Sequence, residues 1–177
     1  VVLLLFNGRP LTLNWEAENV PAILDVWFGG TETADAVADV LFGDVNPSGK
    51  LTMSFPKNVG QIPIYYAAKN TGRPLLEGRW FEKFRSNYLD VDNQPLYPFG
   101  YGLSYTTFEY GPVTLNANAI NRGETIKAEV RVKNTGKVAG KEIVQMYIQD
   151  VVGSTTRPVR ELKGFQKIYL EPGESKI

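Results

Sequence analysis

The chain has 177 residues, of which 43% are hydrophobic and 21% charged, enough apolar mass to bury a core and too little charge for disorder by composition. Nineteen basic and nineteen acidic side chains cancel, which leaves no electrostatic case for nucleic acid or an anionic membrane as partner. Histidine and cysteine are both missing, so Ser-His-Asp and Cys-His nucleophile systems, N/S zinc sites and disulfide staples cannot be built. Any catalysis by this chain would rest on carboxylates, Lys, Tyr or Ser.

The opening run VVLLLF, residues 1–6, is too short to span a bilayer and lacks the charged flank of a signal peptide. Closed by Asn7-Gly8, it predicts a strand buried on both faces, as in a parallel sheet. Such a strand does not open a free domain, so the reading expects residue 1 to lie inside a longer protein. A second apolar run, AILDVWF over 22–28, predicts another buried strand that ends at Gly29-Gly30. The next segment, TETADAVADVLFG, predicts a helix capped by Thr31 or Thr33. Ala34, Val37, Ala38 and Leu41 share one face, and Gly43 is the expected stop. Asn46-Pro47-Ser48-Gly49 then predicts a tight turn, and LTMSF (51–55) a short strand ended by Pro56.

Residues 57–105 have no clear periodicity but are dense in Tyr, Phe and Trp. A loop so long and aromatic is expected to be pinned between domains, since a solvated linker would not carry those rings. From about residue 108 the period changes to two. Ile126, Ala128, Val130 and Val132 alternate with Lys127, Glu129, Arg131 and Lys133. With 113–115, 142–150 and 162–170 this gives four strands spaced as in an Ig-like sandwich, which wants about seven. The fold class expected is therefore α/β followed by all-β. It divides into 1–60 as the tail of an α/β sandwich, 61–105 as interdomain linker and 106–177 as an incomplete fibronectin III-like sandwich.

Five stretches in fixed order carry a resemblance. WFGGTETADAVADVLFGDVNPSGKLTMSFP (27–56), NTGRP (70–74), LYPFGYGLSYTTFEY (96–110), KNTGKVAGKEIVQMYIQD (133–150) and RPVRELKGFQKIYLEPGES (157–175) closely resemble glycoside hydrolase family 3. The nearest likeness is its bacterial periplasmic β-glucosidase subgroup, and it covers essentially the whole chain. One departure lies in KFRSNYLD, residues 83–90, where Tyr88 and Asp90 match and Asn87 stands where Arg is commoner.

The resemblance implies a parent built from a (β/α) barrel, an α/β sandwich and a fibronectin III-like domain. It also implies retaining hydrolysis of terminal β-D-glucosyl residues by an Asp nucleophile and a Glu acid/base, whose carboxyls sit roughly 5–5.5 Å apart. Neither acid matches a residue of this chain, so no catalytic residue is assigned and the chain alone is expected to be inactive. No cofactor and no metal are implied. The implied partners are a β-glucoside or oligosaccharide, met through the barrel, and the upstream catalytic domain on which this chain would pack. Neither nucleic acid nor membrane insertion is implied, and the implied location is periplasmic or secreted. A β-xylosidase parent, or a non-catalytic fibronectin III-like spacer, are the rival readings.

Three residues are candidates for substrate contact: Trp27 by stacking, and Asn70 and Arg73 from the NTGRP loop, where Arg73 offers a planar five-donor fork. Against each stands a structural reading, with Trp27 as core and the loop as a clamp between domains. Glu32 reads better as an acid that complements the helix dipole than as a sugar ligand. Asp35 and Asp39, four apart, read better as surface charges than as a catalytic pair. The YPFGYG run reads as a domain seam.

Overall fold

A computed structural model describes residues 1–76 and 78–177. Strand β1 (Val2–Leu5) lies parallel to β2 (Ala22–Asp25), with Leu5 opposite Asp25. A crossover must join parallel neighbours. Here it contains a short helix, α1 (Asn14–Asn19), absent from the sequence pattern because six residues offer no apolar periodicity. Both strands are half-exposed rather than buried on two faces, since β1 and β2 are each other's only ladder partners among the described residues.

Helix α2 (Thr33–Phe42) forms where expected. It stops at Gly43, whose φ of 88° places it in the left-handed region that ends helices. The start differs from expectation: neither threonine caps it by accepting a backbone N–H. The Thr33 hydroxyl instead donates to Gly30 O at 2.6 Å, and Glu32 holds the N-cap position. Of the predicted face, Val37 and Ala38 are partly covered while Ala34 and Leu41 are exposed, and α2 contributes no fully buried side chain.

The predicted strand LTMSF is corrected. It bends at Thr52 and Met53, and its only bridge among the described residues is Phe55 to Tyr97. Its partner is the 96–101 stretch, where Pro98 has no N–H to offer and Gly100 turns at φ 81°, so only a few rungs form. Those rungs are Leu51 N to Tyr101 O (2.7 Å), Gly100 N to Leu51 O (2.7 Å), Phe55 N to Tyr97 O (2.8 Å) and Leu96 N to Phe55 O (2.8 Å). Phe55, 1% exposed, anchors this part of the core, with Trp27 and Tyr97 edge-on at 5.9 and 6.3 Å.

Beyond residue 105 the chain is all β. Strands β3 (Phe108–Tyr110), β6 (Val132–Asn134) and β9 (Ser175–Lys176) form one antiparallel sheet; β4 (Thr114–Leu115) pairs with β5 (Ala128–Glu129). The long pair is β7 (Gly140–Ile148) with β8 (Glu161–Leu170), interrupted by a register shift at Met146/Tyr147. The single alternating run expected over 126–132 is in fact divided. β5 and β6 belong to different sheets, and the chain crosses between them at Val130-Arg131. Four strands were expected where the described residues hold seven, because strands of two or three residues leave no pattern to read.

Candidate functional site

The tight turn predicted at Asn46-Pro47-Ser48-Gly49 is corrected: the chain turns at Gly43 and bends at Asp44 and Val45, while 46–50 run on without a turn, and Asn46 ties this segment to the all-β part. Asn46 donates from Nδ2 to Ala139 O at 3.0 Å, while its Oδ1 accepts from Ser104 Oγ and Tyr105 N, both at 2.9 Å. Gly102 lies so close to this segment that a Cβ there would stand 2.3 Å from Gly49 O. Tyr105 closes the seam by donating to Val40 O at 2.6 Å. The YPFGYG run is therefore a seam, held by backbone contact that only glycine permits.

Beside the seam a cleft of about 590 Å³ opens between the 64–75 loop, the 98–101 turn and one face of β7, within the size range of small-ligand sites. Tyr66 stacks on Phe99 at 4.0 Å and meets the Tyr147 edge at 6.2 Å. The Tyr147 phenol donates to Gln145 Oε1 at 2.5 Å, and Gln145 Nε2 donates to Gly100 O at 3.0 Å. Deeper in, Lys50 Nζ lies 3.3 Å from Glu142 Oε2 and donates to Gly102 O at 2.8 Å. Tyr110 donates its phenol proton to Glu142 Oε1 at 3.1 Å.

Burial, reinforced by the charge of Glu142 and the hydrogen bond to it, pushes the Tyr110 phenol far above its ordinary range. Burial also raises Tyr147, helped by Tyr66 and opposed by the nearby Arg160 charge. Both phenols are thus neutral donors at neutral pH. Glu142 is the cleft's one carboxylate among the described residues, and both of its oxygens are engaged. A nucleophile or general acid needs a free lone pair or proton aimed at the reacting atom. This arrangement suits recognition rather than bond cleavage.

The candidates from sequence separate here. Asn70 lines the cleft; Arg73 and Trp27 do not. The Arg73 side chain is exposed, and its backbone carbonyl accepts from Ser86 N at 2.9 Å. Trp27 is half-buried at φ 55° and packs edge-on against Phe55. Lys50, Tyr110 and Glu142 went unread. A signal was present: Glu142 is a charge at the inward position of an alternating strand, where the pattern calls for an apolar residue.

Residues 1–105 match the profile of the glycosyl hydrolase family 3 C-terminal domain, and residues 142–177 match that of a fibronectin type III-like domain. The chain belongs to glycosyl hydrolase family 3. Within that family it is 56% identical to the periplasmic beta-glucosidase of Salmonella typhimurium, over 99% of this chain and 23% of that protein. It is 51% identical to a beta-xylosidase of Formosa agariphila over the same shares. A solved structure, the beta-glucosidase from Listeria innocua in complex with glucose, superposes with a TM-score of 0.94 at 50% identity, over 99% of this chain and 24% of that one. The chain spans about a quarter of the length of the curated relatives it matches. Its α/β part followed by an all-β part is the fold class expected from sequence.

Proposed function

We propose that these residues are the supporting flank of a retaining β-glucosidase that removes terminal non-reducing β-D-glucosyl residues, its Asp nucleophile and Glu acid/base lying outside this chain. The observation that carries the reading is the 56% identity, across 99% of the chain, to the periplasmic beta-glucosidase of Salmonella typhimurium. The engaged state of Glu142, the cleft's one carboxylate among the described residues, supports placing the working acids elsewhere. The domain division at 60/61 and 105/106, the packing of this flank on the catalytic domain, and a periplasmic or secreted location belong to the same proposal.

On this reading the full-length gene product cleaves p-nitrophenyl β-D-glucoside and the 177-residue chain leaves it intact. Release of p-nitrophenol by the purified chain alone would overturn the assignment. The 51% identity to a beta-xylosidase favours a second reading, in which the same flank serves a xylosidase. The ratio of kcat/KM for p-nitrophenyl β-glucoside and β-xyloside decides between them. Arg73, with its exposed fork, is assigned to the rim that meets oligosaccharide. Arg73→Ala is expected to raise KM several-fold for a disaccharide with kcat little changed, the signature of lost uniform binding.

A further inference from the structure

The cleft beside the seam has features that the hydrolase reading leaves unused. Its deep wall is finished: Lys50, Tyr110, Glu142 and Gln145 all have hydrogen-bond partners inside the protein. Its rim is not. Lys69, Asn70 and Arg160 line the opening with exposed side chains, and neither Lys69 nor Arg160 is in a salt bridge among the described residues. The two cations are brought to one mouth by backbone pairing. Val159 N donates to Ala68 O at 2.9 Å, and Lys69 bridges to Pro158.

The charge of the lining is therefore Lys50, Lys69 and Arg160 against Glu142 alone, in a chain whose total charge is zero. Rings complete the picture. Tyr101, backed by Tyr97 stacked at 5.2 Å, and the exposed Tyr65 both border the space. An aromatic face, amide and hydroxyl hydrogen-bonders and a guanidinium together fit a ring that is apolar on its face, hydroxylated at its edge and anionic at one end.

We propose that this cleft binds an acidic sugar, a mono- or disaccharide bearing a carboxylate, with Arg160 and Lys69 meeting the carboxylate, Asn70 the hydroxyls and Tyr101 the ring face. The lining has neutral hydrogen-bonding side chains, Asn70 and Gln94 among them, in number suited to a polyhydroxylated ligand rather than to a bare anion. The proposal goes beyond the glucosidase reading and is tested by binding, so it can fail while glucoside hydrolysis stands, or stand while hydrolysis fails.

The test is calorimetric titration of the full-length protein, its catalytic site first saturated with a β-glucosidase inhibitor so that sugar binding there does not register, with D-glucuronate, D-glucose, acetate and adenosine monophosphate at low ionic strength. Glucuronate is expected to saturate one site, and glucose and acetate to bind at least tenfold more weakly. Arg160→Gln with Lys69→Gln, both exposed positions that leave the fold intact, should weaken glucuronate at least tenfold. Tyr101→Leu should weaken it several-fold while preserving the preference over acetate. Absence of saturation overturns the proposal, as does equal binding of acetate, which makes the cleft a plain anion site. Equal binding of glucose removes the role of the carboxylate, and tighter binding of the nucleotide assigns the rings to a base. Unchanged affinity in the double variant places the site elsewhere. Each of these results refutes the assignment.

Discussion

Both ends of the Gln61 amide are occupied in a site with no solvent exposure. Its Oε1 accepts from Lys57 N (2.7 Å) and Asn58 N (3.2 Å), its Nε2 donates to Asp92 O (2.7 Å) and Gln94 O (3.2 Å), and the Tyr88 hydroxyl donates to the Gln61 backbone carbonyl at 2.9 Å. Asn134, equally buried, does the same in the second half, reaching Val138 O, Leu170 O, Thr106 Oγ1 and Gly136 N. Truncating either strands several buried partners. Gln61→Ala and Asn134→Ala are each expected to cost about 3 kcal/mol, read as a fall in the unfolding midpoint of the protein. Two aspartates respond to acid in opposite senses. Asp92 is disfavoured by partial burial, but the Lys57 hydrogen bond at 2.7 Å, the Gln94 amide and the Lys57 charge outweigh this and hold its pKa below 3.8. Its stabilisation is present above the unfolded value and lost as pH falls through the folded one, so Lys57→Met should lower stability at pH 7 and matter progressively less below pH 3.8. Asp25 is the reverse. Burial raises its pKa against a weaker pull from the Trp27 amide, and its Oδ2 has no partner among the described residues. Its favourable contribution is complete below 3.8 and disappears as pH rises through the folded value. Asp25→Asn should therefore raise the melting temperature at pH 7 and leave it unchanged near pH 3.

At the level of elements, the seam depends on two glycines and one buried ion pair. Gly100 sits at φ 81° with Gln145 Oε1 2.3 Å from where a Cβ would be, so Gly100→Ala should cost about 1–2 kcal/mol and loosen the amide bond to β7. Lys50 and Glu142 have side chains only 15% and 9% exposed. Removing one partner leaves a stranded charge, so Lys50→Met is expected to cost about 3–5 kcal/mol, and the double change Lys50→Met with Glu142→Leu to recover much of it. Chemical denaturation of the wild type, the two single variants and the double variant in a cycle measures the difference. These elements also show what sequence can and cannot convey. Helix α2 was legible because ten residues with a Gly stop encode themselves locally, and β7 and β8 because nine and ten residues sustain a pattern. The α1 helix was not, because six residues carry no period, and the divided β5 and β6 and the lapsed LTMSF strand were not, because each is decided by a partner elsewhere in the chain. In the cleft, Asn70 was found through its loop chemistry, whereas Arg160 reaches the same mouth only through the pairing of 158–159 with 68–69.

Taken whole, the molecule keeps few apolar side chains dry: Leu13, Phe55, Val132 and Leu170 form its buried hydrophobic core, while Phe6, Trp15, Phe28 and Phe42 are 60 to 85% exposed. A surface with this much apolar area is the kind that associates. The 177-residue chain alone is expected to bind a hydrophobic dye and to elute larger than a monomer, whereas a sharp monomeric peak with a cooperative melt would contradict that. The rings and amides along 88–101 give a different lesson. That stretch holds almost no helix or ladder, yet Leu96 and Gly100 donate their N–H groups to Phe55 and Leu51, which donate in return to Tyr97 and Tyr101. Deuterium should therefore enter these four positions as slowly as it enters the paired core of β7 and β8, so that an isotope map would mark as rigid a region that a diagram of ribbons and arrows leaves blank.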